Sequence, residues 1–402
     1  MTTALTNELM NDLRERGAER FSQLGWPTTR IEEWRYTNLA NVAKVAWRSD
    51  DAPKVIETPA TLAGRATVEL LFVNGRLVRT TGEALQPVEA ERIGSVADFE
   101  SHAMIALNAA EMQDGARFRV PDNAVVDGFI HLLFVGSGDG IWSHPRNVID
   151  VGRNAQVRIV ETYVGSGEYF TNAVTELLAA EGAVVDYTKV VCEAESATHV
   201  GSVHVRQERS SSVTLHNMSI GGALIRNDVY AALTGEGASV ALEGLFAGAG
   251  KQHIDNHTVI DHVSPHCDSL ELYKGVLDDQ ARGVFDGRII VRPNASKTAS
   301  KQSNHNLLLS ETAIVDSKPT LEIHNDDVKC NHGSTIGQID EEALFYLRSR
   351  GIGEAEARNL LVYAFAAEVV DRIKIEPVRE QIRRALFRAI PARLPERRGG
   401  PR

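Results

Sequence analysis

A chain of 402 residues is too long for one ordinary hydrophobic core, so several domains or a solenoid are expected. Hydrophobic content of 43% with 24% charged residues marks a globular chain, and a net charge of −11 argues against nucleic acid or an anionic membrane surface as the main partner. No window approaches the ~18 consecutive apolar residues that a membrane-spanning helix requires.

From Met1 to Gly25 charges are spread throughout, so no secretory leader is expected. Leu5, Leu9, Leu13 and Phe21 recur at helical spacing and predict a helix from Thr6 to Leu24, stopped by Gly25-Trp26-Pro27. Pro27 to Leu39 mixes aromatic and charged residues and reads as a docking segment rather than a plain core element. Asn74-Gly75 between two apolar runs predicts a hairpin with a type I′ turn. Ala97 to Met112 returns to helical spacing. Residues 1–125 are therefore read as a mixed α/β N-terminal domain.

From Asn154 onward, short runs rich in Val, Ile and Thr alternate with Gly, Asn, Asp and Ser turns. A repeat is visible in Asn154-Ala-Gln-Val, Gly182-Ala-Val-Val, Ser210-Ser-Ser-Val and Gly237-Ala-Ser-Val. Their second residues stand at 155, 183, 211 and 238, and the series continues more weakly at His266 and near Ala295. A second set, Asn172-Ala-Val, Gly201-Ser-Val and Asn227-Asp-Val, sits midway. A fixed period without helices is the mark of a coil stacked on itself, in which Val157, Val185, Val213 and Val240 would form an inward apolar ladder. The fold expected is mainly β: a parallel β-helix over residues 126–338, in preference to a sandwich of evenly spaced hairpins.

Asp340 then reads as an N-cap, followed by Glu341 and Glu342 in the first turn, and Gly351 as the stop of that helix. Gly353-Glu354 opens a second helix. From Leu360 to Val370 it is apolar except for Glu368, so it is buried on all sides or meets a partner. Glu376-Pro377 opens a third, amphipathic helix through Ile390. These helices make a C-terminal domain at 339–392, and the Arg-rich residues 393–402 read as a disordered tail.

Cys192, Cys267 and Cys330 are odd in number, far apart and without a CxxC, so a disulfide framework is not expected and a reducing cytoplasm fits. Cys330 and His332 alternate along a strand and share a face, roughly 6.6–6.8 Å apart in rise. A thiolate and an imidazole suit zinc, copper or iron–sulfur, but two ligands are half of the usual four. Spacing alone favours the plainer reading, a structural Cys beside a hydrogen-bonded His. His253, His257, His262 and His266 form a second cluster, for which bonds to Asp255, Asp261 and the backbone are the plainer reading. No HExxH, nucleophile elbow, P-loop or dinucleotide fingerprint occurs. Asp278-Asp279 and Asp326-Asp327 lie at turns, where Asp is expected for backbone reasons, yet they keep a polysaccharide-active β-helix enzyme open.

Four stretches together resemble the SufB/SufD family of iron–sulfur cluster assembly scaffolds. They are Asn304-His-Asn-Leu-Leu-Leu-Ser310, Lys318-Pro-Thr-Leu-Glu-Ile323, Asp327-Val-Lys-Cys-Asn-His-Gly333 and Leu344-Phe-Tyr-Leu-Arg-Ser-Arg-Gly-Ile352. Pro27 to Leu39 also looks like the family's N-terminal segment, and the paucity of cysteines favours the SufD side over a SufB-like scaffold that binds sulfur itself. The resemblance implies a right-handed parallel β-helix flanked by helical regions and a non-catalytic subunit. It implies pairing with SufB and binding of the SufC ABC-type ATPase through the C-terminal helices; a homodimer in isolation stays open. It further implies a transient iron–sulfur cluster at the SufB interface, held by His332, with Cys330 matching the family in a less settled role.

Overall fold

The computed structural model describes residues 2–50, 52–53, 62 and 65–390, so the expected tail at 393–402 lies outside the described residues. The ladder foreseen from the repeat is present. Val157 pairs in parallel with Val185, Val185 with Val213, and Val213 with Val240, and all four are buried in one continuous core. Each strand of one sheet leads through a turn to a strand of the second sheet, and the next coil stacks on both. The parallel β-solenoid has about eight turns. Complete burial of each apolar side chain in such a column contributes about 1.5–3 kcal/mol.

The small-residue register arises at one corner of the coil. Asn154, Gly182, Ser210, Gly237 and His266 all adopt left-handed φ, between 54° and 71°. Gly and Asn take that conformation at the least cost, which is why the signal is clear in the early coils and faint at His266. The series near Ala295 is displaced: the left-handed corner falls at Lys297, because the Arg292–Ser296 turn makes that coil longer. The midway set does not mark turns. Ala173, Gly201 and Asn227 stack within strands, so Asn172-Ala-Val174 is one residue out of step, and Val174 packs outside, against the N-terminal helices.

Helix α1 (Thr2–Leu24) ends at Gly25 with φ of 67°, as the sequence predicts. The predicted hairpin is also present: Val68–Val73 pairs antiparallel with Arg76–Gly82 around Asn74 and Gly75, both at positive φ. The first of these strands pairs in parallel with Ile130–Ser137, so the solenoid ladder takes in residues well ahead of 126. Phe72, Phe134 and Tyr163 stack through it at 4.6 and 4.8 Å. The helix expected from Ala97 is shorter, with α2 spanning Ala103–Glu111. The Asp98 carboxylate accepts from the backbone N–H groups of Glu100 and Ser101, and this local turn replaces the first helical turns.

The Pro27–Leu39 segment docks on its own solenoid. Trp34 is buried under Arg226, whose guanidinium lies 3.9 Å from the ring centroid. Arg226 also binds Asp228, Asp255 and the Glu33 carbonyl, and the Thr37 hydroxyl donates to Asp255. Lys318, on the last coil, pairs with Glu32 at 2.8 Å.

At the other end, Asp340 caps α3 (Glu341–Ser349), accepting from the N–H groups of Glu342 and Ala343. Helices α4 (Glu354–Val370) and α5 (Glu376–Ala389) follow. Val362, Ala366, Val369, Ile382 and Leu386 cover an apolar patch on the outside of one sheet, formed by Val190, Met218, Leu245 and Leu272. The nearly all-apolar α4 is thus buried on one side only, and Leu360 on the other side is exposed.

Candidate functional site

The solenoid is open at the end where the helical lobe begins. Ile314–Ile323 and Lys329–Gly337 are the last strands of their sheets, and each pairs on one side only. Unpaired strand edges are templates for another chain, and proteins usually blunt them with charge or cover. Here Ile314, Ile323 and Ile336 remain exposed on these strands.

The register fixes what faces the interior at this end. The column Val157–Val185–Val213–Val240 continues as Ser269, Ser300 and Cys330. The neighbouring column runs Ile159, Tyr187, Leu215, Leu242, then Glu271, Gln302 and His332. Apolar columns therefore turn polar in the last coils. A terminal layer of Val and Leu would bare an apolar patch, whereas polar side chains keep the open end wettable and supply donor atoms.

Cys330 and His332 share the inward parity, as their spacing predicts. Cys330 is half-buried against the core, and burial pushes its thiol up from the usual range. His332 is exposed at the mouth, with no coil above it. Beside them Ser317 bridges the two end strands: its hydroxyl lies 2.8 Å from Ser334 Oγ and donates to Asn304 Oδ1 at 2.8 Å. Among the described residues no group of three or more His, Cys, Asp or Glu side chains is placed to hold a metal ion. Cys330 and His332 stand on a strand whose outer edge is unpaired.

The other candidates are dispersed by the fold. His253 lies 2.8 Å from the Thr37 hydroxyl, His257 pairs with Asp255 at 2.9 Å, and His262 lies 2.9 Å from Ser269 Oγ. His266 is the exposed corner residue already described. Burial lowers His253, and lowers His262 to about 4, so both stay neutral near pH 7. These imidazoles hold strands and the N-terminal segment in place. Asp278-Asp279 sits in a turn, with Asp279 at φ of 52°. All three cysteines are free. Burial pushes Cys192 up to about 12 and raises Cys267, so neither offers a ready thiolate.

Glu271, Gln302, Ser317 and Ser334 were not singled out from the sequence. Following the Val column past Val240 would have exposed the change to Ser, Ser and Cys.

Fold and site define an open-ended parallel β-solenoid that carries a thiol and an imidazole on the inward face of its last strand. Residues 134–365 match the family model for the SUF system FeS cluster assembly SufBD core domain, and residues 1–59 match the SufBD protein N-terminal region. The chain belongs to the SufBD family of iron–sulfur cluster assembly proteins. It is 28% identical to the iron–sulfur cluster assembly protein SufD of Escherichia coli K12, over 93% of this chain and 91% of that protein. It is 29% identical to an iron–sulfur cluster assembly SufBD family protein of Synechocystis, over 96% and 92% of the two chains. Identity to SufD of Bacillus subtilis is 26%, over 93% and 92%. No helix among the described residues is long and apolar enough to cross a membrane.

Proposed function

We propose that this chain is a SufD-type scaffold subunit of a SUF assembly complex. It pairs with SufB through the open end of the solenoid and helps build and pass on a nascent iron–sulfur cluster. The observation that carries this reading is the pair Cys330 and His332, inward-facing on an unpaired last strand and too few to complete a site alone. Iron in such clusters takes thiolate and imidazole donors, four per metal centre in the usual case. Imidazole binds a metal through a ring-nitrogen lone pair and keeps its other N–H proton. Cys330 must give up a proton to bind, and its half-buried, raised thiol makes that harder in the empty subunit. His332 is therefore the principal ligand from this chain and Cys330 the secondary one, with the partner supplying the remaining donors. The cluster is cargo, held transiently at the interface.

The same edge would support a homodimer in isolation, because either chain can continue the two sheets. The chain itself performs no reaction in this scheme; ATP hydrolysis belongs to a SufC ATPase docked on the helical lobe after residue 339. Phe345, Tyr346, Leu360 and Phe387 are exposed on that lobe, an apolar and aromatic composition suited to a protein interface. Three free cysteines support a reducing cytoplasmic setting.

The test is anaerobic reconstitution of the purified complex with SufB and SufC, comparing wild type with His332→Ala and Cys330→Ala. Bound iron and sulfide and the visible absorption of the cluster are measured. His332→Ala is expected to lose most of the loading and Cys330→Ala a smaller part. Unchanged loading in His332→Ala would sink the proposal.

A further inference from the structure

A histidine that binds a metal through one ring nitrogen carries a proton on the other. That N–H almost always needs an acceptor, which fixes the ring and its tautomer. Nothing in the sequence singles out such an acceptor for His332, but the column beneath it does.

Gln302 is the register partner of His332, one coil below and on the same inward face. It is buried, and its Nε2 donates to Glu271 Oε2 at 2.7 Å. Its Oε1 is buried without a hydrogen-bond partner. A buried amide oxygen left unpaired bears its desolvation penalty without return. The position above it in the column is that of His332.

The opposite sheet is shaped for this amide. Gly287 faces it, and a Cβ there would lie 2.4 Å from Gln302 Nε2. One coil lower, Gly287 pairs with Thr258. Any side chain at 287 would push the amide away from the column. Burial lifts Glu271 to about 7, with Thr258 and Gln302 as smaller opposing influences. As carboxylate or as the carbonyl of the acid, Oε2 accepts from the amide, so the orientation of Gln302 survives either charge state.

We propose that Gln302 and Glu271 are positioning residues for His332: Glu271 fixes the Gln302 amide so that its free oxygen accepts the ring N–H. This aims the other ring nitrogen out of the mouth as the metal donor. The inference rests on the reading of His332 as a ligand, and it explains the polar column, the unpaired oxygen and the glycine together.

The experiment uses the full chain without cluster, labelled with ¹⁵N-histidine. Long-range ¹H–¹⁵N spectra report the tautomer of each ring, and His332→Gln assigns the signal. Wild type is expected to hold one dominant tautomer at His332. Gln302→Met, close in volume, and Gly287→Ala, which keeps Gln302 but displaces its amide, are each expected to shift the ratio several-fold. Circular dichroism checks that both variants are folded. The exchanged pair Glu271→Gln with Gln302→Glu keeps an acceptor beside the ring and is expected to restore the single tautomer. In the reconstituted complex, Gln302→Met is expected to weaken metal binding about ten- to a hundred-fold. An unchanged tautomer ratio in both Gln302→Met and Gly287→Ala overturns the positioning contact, even if His332→Ala abolishes loading. A shifted ratio beside full loading of His332→Ala upholds the contact and overturns the ligand reading instead.

Discussion

Glu271 is a carboxyl fully buried inside the solenoid, so its protonation must appear in the stability of the protein. Burial raises it to about 7, against about 4.3 for an unfolded Glu. Its hydrogen-bond partner, Gln302 at 2.7 Å from the next coil, is neutral. With the folded-state value above the unfolded one, the native chain keeps a proton that the unfolded chain releases. The associated stability is fully present below about pH 4, declines as pH rises through about 7, and is level above that. At 1.36 kcal/mol per pH unit, the full loss is about 3–4 kcal/mol. Glu271→Gln removes the titration while keeping shape and the acceptor for Gln302. The stability of the variant relative to wild type is therefore expected to rise by about 3 kcal/mol between pH 4 and pH 8. Urea unfolding at constant ionic strength measures it, and hydrogen exchange in the strand Asp268–Leu277 localises it. Taking the difference between variant and wild type cancels the other titrating groups. A difference that is flat with pH would refute the picture of a buried, proton-holding carboxyl.

Lys274→Met tests how the helical lobe is seated. Lys274 is buried, donates to the Phe365 carbonyl at 3.0 Å, lies 4.3 Å from that ring's centroid and pairs with half-exposed Glu368 at 2.5 Å. The ion pair adds little in water, but loss of the charged hydrogen bond and ring contact should cost about 2 kcal/mol. The amides of Glu354–Val370 should then exchange faster, and unchanged exchange there counts against this seat. For the ATPase interface, Phe345→Ser with Tyr346→Ser changes two exposed aromatics on α3 and should leave the fold intact. Co-purification with SufC is expected to drop at least ten-fold, and full retention would move the interface elsewhere.

The repeat could be read because a stacked coil imposes two simple rules on sequence. Its corner takes a left-handed residue, and its inward strand positions take apolar ones. Both rules are local, so Asn154, Gly182, Ser210 and Gly237 announced the corners and Val157, Val185, Val213 and Val240 the ladder. The same logic failed where the coil lengthened, since the corner falls at Lys297 and not just before Ala295, as the series implied. Cys330 and His332 were visible as a same-face pair, but spacing cannot tell an inward face from an outward one. That distinction came from register, which places Cys330 on Ser300 and His332 on Gln302.

Depth in the stack, more than residue type, decides what these side chains do. Glu161 sits in the first coils with neighbours above and below, and it accepts from Tyr163, Tyr187 and Thr175. Its hydrogen bonds are closed within the chain, so it is a satisfied core carboxyl. Gln302 lies one coil from the open end, and its inventory closes downward onto Glu271 but not upward. His332 has no coil above it at all. A buried polar group with an unused valence is costly wherever the fold is complete. The unused oxygen of Gln302 lies beneath the end where both sheets stop, and a partner's strand edges docked there would finish the column from outside. The exposed Ile314, Ile323 and Ile336 point to the same conclusion from the apolar side, because pairing the edges would bury them in the step that closes the polar column.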